Sequence, residues 1–299
     1  MAGHIITFQT TAEMEARMSD FYRDFFVPHT NPYAVFVAKV SSCTITLYSS
    51  HKITFQGDNA IDEASIWNGG DDQWVYTQNH IGSDEVGTGD YFGPVVVAAA
   101  FVHESQIAEL EALGVKDSKR LTDPQIMKMA PALIKLLPHS ILVLDNNKFN
   151  DLTNRGFNMN RIKAYLHNQA LLNIQKKIGY VVKTIVVDQF TPKESYFRYL
   201  NDVPLVEHNI QFVTKAEGLS PAVAAASVLA RYTFLKRMHD LSTQLGIVLP
   251  KGAGAQVDDT GRLIFETKGA ELLKSVTKFN FKNTHKILKL VSEDDLDDY

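Results

Sequence analysis

At 299 residues, with 45% hydrophobic residues and a formal net charge of −4, the chain is long enough for two domains with full cores. It contains no run of about 18 apolar residues, which excludes a membrane-spanning helix, and "MAGHIITFQTT" lacks the charged start and apolar stretch of a secretory leader. The single cysteine, Cys43, excludes an internal disulfide and reads as a small strand residue, so the chain is expected in the cytoplasm.

"HIITFQ" (4–9) reads as a strand and "TTAEMEARMSDFYRDFF" as a helix, with Thr10 and Glu13 in capping-box register. Pro28 and Pro32 end it. "AVFVAKV", "CTITLYSS" and "HKITFQG" are β-branched, alternating runs, and "NAIDEASIW" reads as a second helix. The order β-α-β-β-β-α suits a small α+β domain with one sheet face open. On it Tyr33, Phe36, Lys39, Tyr48, Lys52 and Phe55 either share a face that meets a nucleic-acid groove, or divide into core aromatics and solvated lysines. "NGGDDQ" (68–73) marks a linker.

The second part predicts strands around 76–85, 94–102, 139–145, 182–188 and 205–213. Helices are predicted at 104–113, 123–137, 158–178, 192–200, 219–245 and 261–274, with a short one near 284–292. Pro131 is expected to kink or split the second helix. Short apolar strands reached across helices favour a mixed sheet covered by helices, an α/β arrangement.

Charge is unevenly divided. Residues 1–80 hold 4 basic and 9 acidic residues, residues 81–292 hold 26 and 20, and the tail "EDDLDDY" holds five acids. This reads equally as ordinary surfaces or as a central domain attractive to polyanions.

The stretch "GSDEVGTGDYFGPVVVAAAFV" (82–102) sets acids in the mouth of an apolar run. Buried carboxylates are costly unless something positive meets them, so this is either a stabilised turn or a cation site. Asp188 ends a second apolar run, "TIVVD", where open α/β sheets gather their chemistry. Neighbours such as Asp84 and Glu85 point to opposite faces of an ideal strand and converge only where it bends or ends; Gly87 and Gly89 supply that freedom. Glu217 precedes a helix that begins at Ser220 (N-cap) and Pro221. It is either a carboxylate stabilised by the helix dipole or a ligand carried by a helix packed close on the sheet. Oxygen ligands without a His or Cys cluster suit Mg²⁺ or Mn²⁺.

"SDEVGTGDYFGP", "GVKDSK", "IVVDQF" and "KAEGLSPAVAAASVLARY", in this order, resemble the type 2 ribonuclease H family, and within it the ribonuclease HIII group. Ribonuclease HII relatives usually carry G-R-G where this chain has Gly87-Thr88-Gly89, and Asp where it has Glu217; both departures fit the HIII group. The resemblance implies a ribonuclease H-like fold, a five-stranded mixed sheet flanked by helices. It also implies an N-terminal α+β domain similar to half of a TATA-box-binding protein. The implied activity is endonucleolytic cleavage of the RNA strand of RNA/DNA hybrids, leaving 5′-phosphate and 3′-hydroxyl ends. Asp84, Glu85 and Asp188 match the family's metal ligands for Mg²⁺ or Mn²⁺, and Glu217 completes the acidic set.

Further expectations follow from this likeness. The Gly87–Gly89 backbone approaches the 2′-hydroxyl, with Thr88 either a hydroxyl contact or a turn residue, Ser118 and Lys119 fix a phosphate, and Asn158 and Arg161, with Lys163, either line a groove or belong to the ordinary core and surface of their helix. "PKGAGAQV" (250–257) is either an amide nest for phosphate or a plain loop. The expected division is a substrate-binding domain over 1–70, a linker over 71–79, a catalytic domain over 80–292 and an acidic tail over 293–299. The expected partner is the hybrid itself, with no membrane, no obligate protein partner and a monomeric state. A non-catalytic binding module and an actin-like phosphotransferase are the competing readings.

Overall fold

The computed structural model describes residues 4–40, 42–67, 74–115 and 121–294. The alternating N-terminal runs form their own sheet: β1 (His4–Gln9), α1 (Ala12–Phe21), β2 (Ala34–Val40), β3 (Cys43–Tyr48), β4 (Lys52–Gly57) and α2 (Ala60–Ser65). The strand order is β1-β4-β3-β2, antiparallel throughout. Period-two alternation sends Phe36, Ala38, Ile45, Leu47, Ile53 and Phe55 into one core with Met18, Phe21 and Trp67. Phe36 and Phe55 are therefore core, whereas Lys39, Tyr48 and Lys52 belong to the opposite, open face. The helix cap is Thr11, which accepts from the Met14 amide at 3.2 Å; Thr10 instead donates to Glu15. The cap thus sits one residue later than the sequence pattern suggests.

The second sheet comprises β5 (His80–Val86), β6 (Val95–Val102), β7 (His139–Leu144), β8 (Ile185–Asp188) and β9 (Gln211–Val213), in the order β7-β6-β5-β8-β9. β5, β6 and β7 pair antiparallel, while β8 joins β5, and β9 joins β8, in parallel. The sheet is mixed and five-stranded, the arrangement implied by the resemblance. Around it lie α3 (Ile107–Ala112), α4 (Asp123–Leu136), α5 (Asn146–Asn154), α6 (Met159–Ile178), α7 (Lys193–Tyr199), α8 (Pro221–Leu245), α9 (Ala255–Lys268), α10 (Ala270–Val276) and α11 (Lys282–Asp294).

Every residue of β6 is buried, and its two faces feed two cores. Val96, Ala98, Ala100 and Val102 pack with α4 and α8, whereas Val97, Ala99 and Phe101 pack with α6. The α8 stretch Ala222–Ala226 is fully buried. It lies so close to β5 that a side-chain carbon on Gly82 would strike the backbone of Ala222 and Val223. Small residues on the helix and a bare glycine on the strand together set this approach.

Several sequence expectations are revised. α4 runs through Pro131 as one helix, because Pro131 sits on its exposed face. The 261–274 helix is two helices, α9 and α10, meeting at Gly269. α5, a helix of amides and polar residues, was not expected. The 68–73 stretch expected as linker, and 295–299 of the acidic tail, lie outside the described residues. Among the described residues no helix is long and apolar enough to cross a membrane.

Candidate active site

β5 carries Asp84 and Glu85 through its last turn of pleat, and β8 ends beside it on Asp188. β5 stays regular through Val86, so the two neighbours do face opposite sides. Asp84 faces α8, whose Ser227 hydroxyl bonds to it. Glu85 faces α6. Lys163 Nζ lies 3.1 Å from Glu85 Oε1, and His167 Nε2 lies 2.9 Å from Oε2. The expected bend thus comes after the acids, at Gly87 (φ 87°). A side chain there would also strike the Pro94 carbonyl and the Phe234 ring. Gly89, by contrast, borders open space, and Thr88 is half-buried beside the acids.

Asp188 Oδ1 accepts from the Ala216 amide at 2.9 Å. This ties β8 to the short 3₁₀ turn Ala216–Gly218 that carries Glu217. Ser220 caps α8 by accepting from the Val223 amide, as the sequence indicates. Glu217 therefore enters the site just ahead of a helix N-terminus.

The electrostatics separate the acids. Burial, then the charges of Asp188, Glu85 and Glu217, holds the Asp84 carboxyl well above the usual carboxylate range. Burial, Glu217 and Glu85 push Asp188 up to about 7, against the Ala216 amide and Arg17. Burial alone would raise Glu85 as well, but the Lys163 charge and the His167 hydrogen bond outweigh it and lower it to about 2. Mutual elevation of this kind means negative charge gathered without enough positive charge to meet it. A hard divalent cation supplies what is lacking, and the donor set, carboxylate oxygens only, fits one. As the side chains stand, no three acidic, imidazole or thiol groups among the described residues converge on one ion position. Glu85 is held by Lys163 and His167 of α6.

The cleft in front of Glu85 and Asp188 has a volume of about 210 Å³. Its other wall is the N-terminal unit: Arg17, Asp20 and Phe21 of α1, and Trp67. Asp24 accepts from the Tyr199 hydroxyl, and Thr214 donates to the Ile66 carbonyl across the same boundary.

The remaining candidates fall elsewhere. Asn158 caps α6 by accepting from the Arg161 amide at 2.8 Å. Arg161 stacks on Phe157 at 4.0 Å and pairs with Asp202 at 2.9 Å. Both line a separate depression with Arg198 and Tyr199. Ser118 and Lys119 lie outside the described residues. Asp90 is not part of the acidic group, because its Oδ1 accepts from the Gly252 amide at 2.6 Å. That amide is therefore spent inside the protein, which answers the phosphate-nest reading of 250–257 for this position. Lys278, fully buried, donates to the Asp90 and Gly93 carbonyls at 2.7 and 2.6 Å and fastens the loop that follows Gly87.

Sequence reasoning overlooked Arg17, His167 and Lys278. The pair Lys163 and His167 had a signal, since residues four apart share one helix face, but it gains meaning only once Glu85 is seen opposite. Lys278 had none.

Strand order, parallel β5–β8 pairing and acids at the ends of these two central strands define a ribonuclease H-type nuclease fold. Comparison with known proteins narrows this. Residues 81–284 match the family described as Ribonuclease HII, and residues 6–78 match a domain of unknown function (DUF3378). The chain is 42% identical over 303 residues to a ribonuclease HIII of Geobacillus sp. (strain WCH70), covering 98% of this chain and all of that one. It is 42% identical to the ribonuclease HIII of Listeria monocytogenes serotype 4b (strain CLIP80459), over 97% of this chain and 98% of that one. The crystal structure of Bst-RNase HIII in complex with Mn²⁺ superposes with a TM-score of 0.71 at 38% identity, covering 97% of this chain and 100% of that one. The chain belongs to the ribonuclease HII family, with its similarity running to ribonuclease HIII members over nearly the full length.

Proposed function

We propose that this chain hydrolyses the RNA strand of RNA/DNA hybrids internally, leaving 5′-phosphate and 3′-hydroxyl ends. Asp84, Glu85 and Asp188 would hold Mg²⁺ or Mn²⁺, and Glu217 completes the acidic set. The observation that carries this reading is the placement of Asp84, Glu85 and Asp188 at the ends of the paired strands β5 and β8, where burial first, and then the neighbouring acids, hold Asp84 and Asp188 above the carboxylate range. Such acids repel a phosphate backbone unless a cation stands between. When bound, a divalent ion supplies activation of the attacking water and neutralises charge on the leaving 3′-oxygen.

The chain's own residues do the rest. Lys163 and His167 keep Glu85 ionised, so this acid needs no deprotonation to accept a cation. The Ala216 amide fixes one Asp188 oxygen. The Gly87–Gly89 backbone, with Gly89 open to solvent, suits close approach to a 2′-hydroxyl, the group that distinguishes RNA from DNA. Asn158 and Arg161, with Ser118 and Lys119, would take backbone phosphates. Residues 1–70 would act as a substrate-binding unit joined through 71–79 to a catalytic unit over 80–292, with 293–299 as an acidic tail. The enzyme would act as a cytoplasmic monomer with the hybrid as its only required partner.

A labelled hybrid incubated with Mg²⁺ or Mn²⁺, and in parallel with chelator, tests this. Internal cuts confined to the RNA strand and abolished by chelator are expected. Binding without metal-dependent cutting would favour a non-catalytic module.

A further inference from the structure

We infer that His167, seated on Ser83, and Lys163 are positioning residues that fix the Glu85 carboxylate by both oxygens before a cation arrives. The inference rests on the assignment of Glu85 as a metal ligand.

The geometry is that of a closed chain of contacts. An ionised carboxylate only accepts hydrogen bonds, so His167 Nε2 donates to Glu85 Oε2 at 2.9 Å while Lys163 donates to Oε1 at 3.1 Å. The other imidazole nitrogen, Nδ1, lies 2.7 Å from Ser83 Oγ, and Ser83 Oγ lies 2.9 Å from the Ala98 carbonyl. Ser83 is on β5, two residues before Glu85 and on the same sheet face. The ring therefore bridges two positions of one strand, and its plane is set from both ends. Phe190, just beyond Asp188, closes the third side. Its ring stacks on His167 at 5.2 Å between centroids, and the Lys163 ammonium stands 4.2 Å over it.

Burial makes the arrangement stiff. The His167 side chain is 0% exposed and that of Lys163 6%. Two polar side chains placed so deep are costly unless they meet a specific partner, and Glu85 is the acid both reach. Partners that orient a metal ligand from behind typically change metal affinity or activity by about 10–100-fold when removed.

The test titrates Mn²⁺ into wild type, His167→Ala, Ser83→Ala and Lys163→Gln by calorimetry, and measures kcat and KM on an RNA/DNA hybrid. We expect His167→Ala to bind Mn²⁺ about 10–100-fold more weakly. Its kcat should fall by a similar factor, with KM for the hybrid nearly unchanged. Ser83→Ala, which removes only the far support, should show a smaller loss in the same direction, and Lys163→Arg should recover more kcat than Lys163→Gln. Unchanged Mn²⁺ affinity and kcat in folded His167→Ala would overturn the inference. If that variant does not fold, unchanged Mn²⁺ affinity in both Ser83→Ala and Lys163→Gln would do so. A wild-type chain that binds no Mn²⁺ would instead sink the metal-ligand assignment, so the two failures are distinct.

Discussion

The N-terminal sheet packs helices on one face and leaves Lys39, Thr44, Thr46, Tyr48, Lys52 and Thr54 on the other, whereas β6 of the second sheet is covered on both faces along its whole length. An open face can meet a large partner but cannot hold acids away from water. A doubly covered sheet can desolvate acids at its strand ends, and Asp84 and Asp188 show the effect. On the proposed function, the two sheets would divide the work of contacting a duplex and of concentrating charge.

The largest way to break the contrast is at β8. Asp188→Asn should lower kcat by about 10³-fold or more, about 4 kcal/mol in barrier, and leave hybrid affinity nearly intact. It should also raise the thermal midpoint of the metal-free protein, because it removes one of the repelling charges. Single-turnover cleavage, equilibrium binding and calorimetry read the three effects; near-normal turnover would refute the ligand role.

Next in size is the packing that brings α8 to the acids. Gly82→Ala places a carbon against the Ala222–Val223 backbone, which cannot rotate away. A loss of about 2–3 kcal/mol is expected, read by urea unfolding. The equivalent change at Gly89, which has open space around it, should cost far less stability.

A pH series sharpens the comparison further. Asp188 is pushed up to about 7 in the folded chain, from an ordinary 3.8. Between these values the folded state binds more protons than the unfolded state, so metal-free stability falls as pH rises from about 4 to about 7. Glu85, lowered to about 2, acts oppositely, but only below about 4.5. A net loss of about 2 kcal/mol between pH 5 and pH 8 is expected from Asp188, and Asp84, also raised by burial and its acidic neighbours, acts in the same direction. Saturating Mg²⁺ or Mn²⁺ should flatten the slope, and a stability that rises over this window would contradict the charge reading.

The legible parts were those where local pattern and final environment agree. β2 to β4 alternate in sequence and in burial, and the Ser220-Pro221 cap announces α8. α5 was invisible because its stability is tertiary: Asn146 donates to the Gly93 carbonyl, and Asn150 to the carbonyls of Lys274 and Thr277. The start of α9 was displaced for a related reason. Gly261, where the sequence pattern begins this helix, sits in its middle, and its lack of a side chain leaves room for Ile287. In the site, the acids stood out by type and spacing, while Lys163, His167 and Arg17 depend on which helix faces which strand.

The smallest expected effect concerns the open face. Lys39 and Lys52 lie on it with Tyr48, yet the cleft wall is made by the helical side of the same unit, through Arg17, Asp20 and Phe21. If the open face carries substrate, the double change Lys39→Ala/Lys52→Ala should raise KM about tenfold near 0.15 M salt with kcat little changed. It should also reduce the slope of log affinity against log salt by about 2, one for each phosphate no longer neutralised. Arg17→Ala should then act mainly on kcat, since its charge bears on Asp188. If instead Arg17→Ala raises KM and the lysine pair does nothing, the helical side of the N-terminal unit meets the duplex, and the open sheet face has no part in substrate binding.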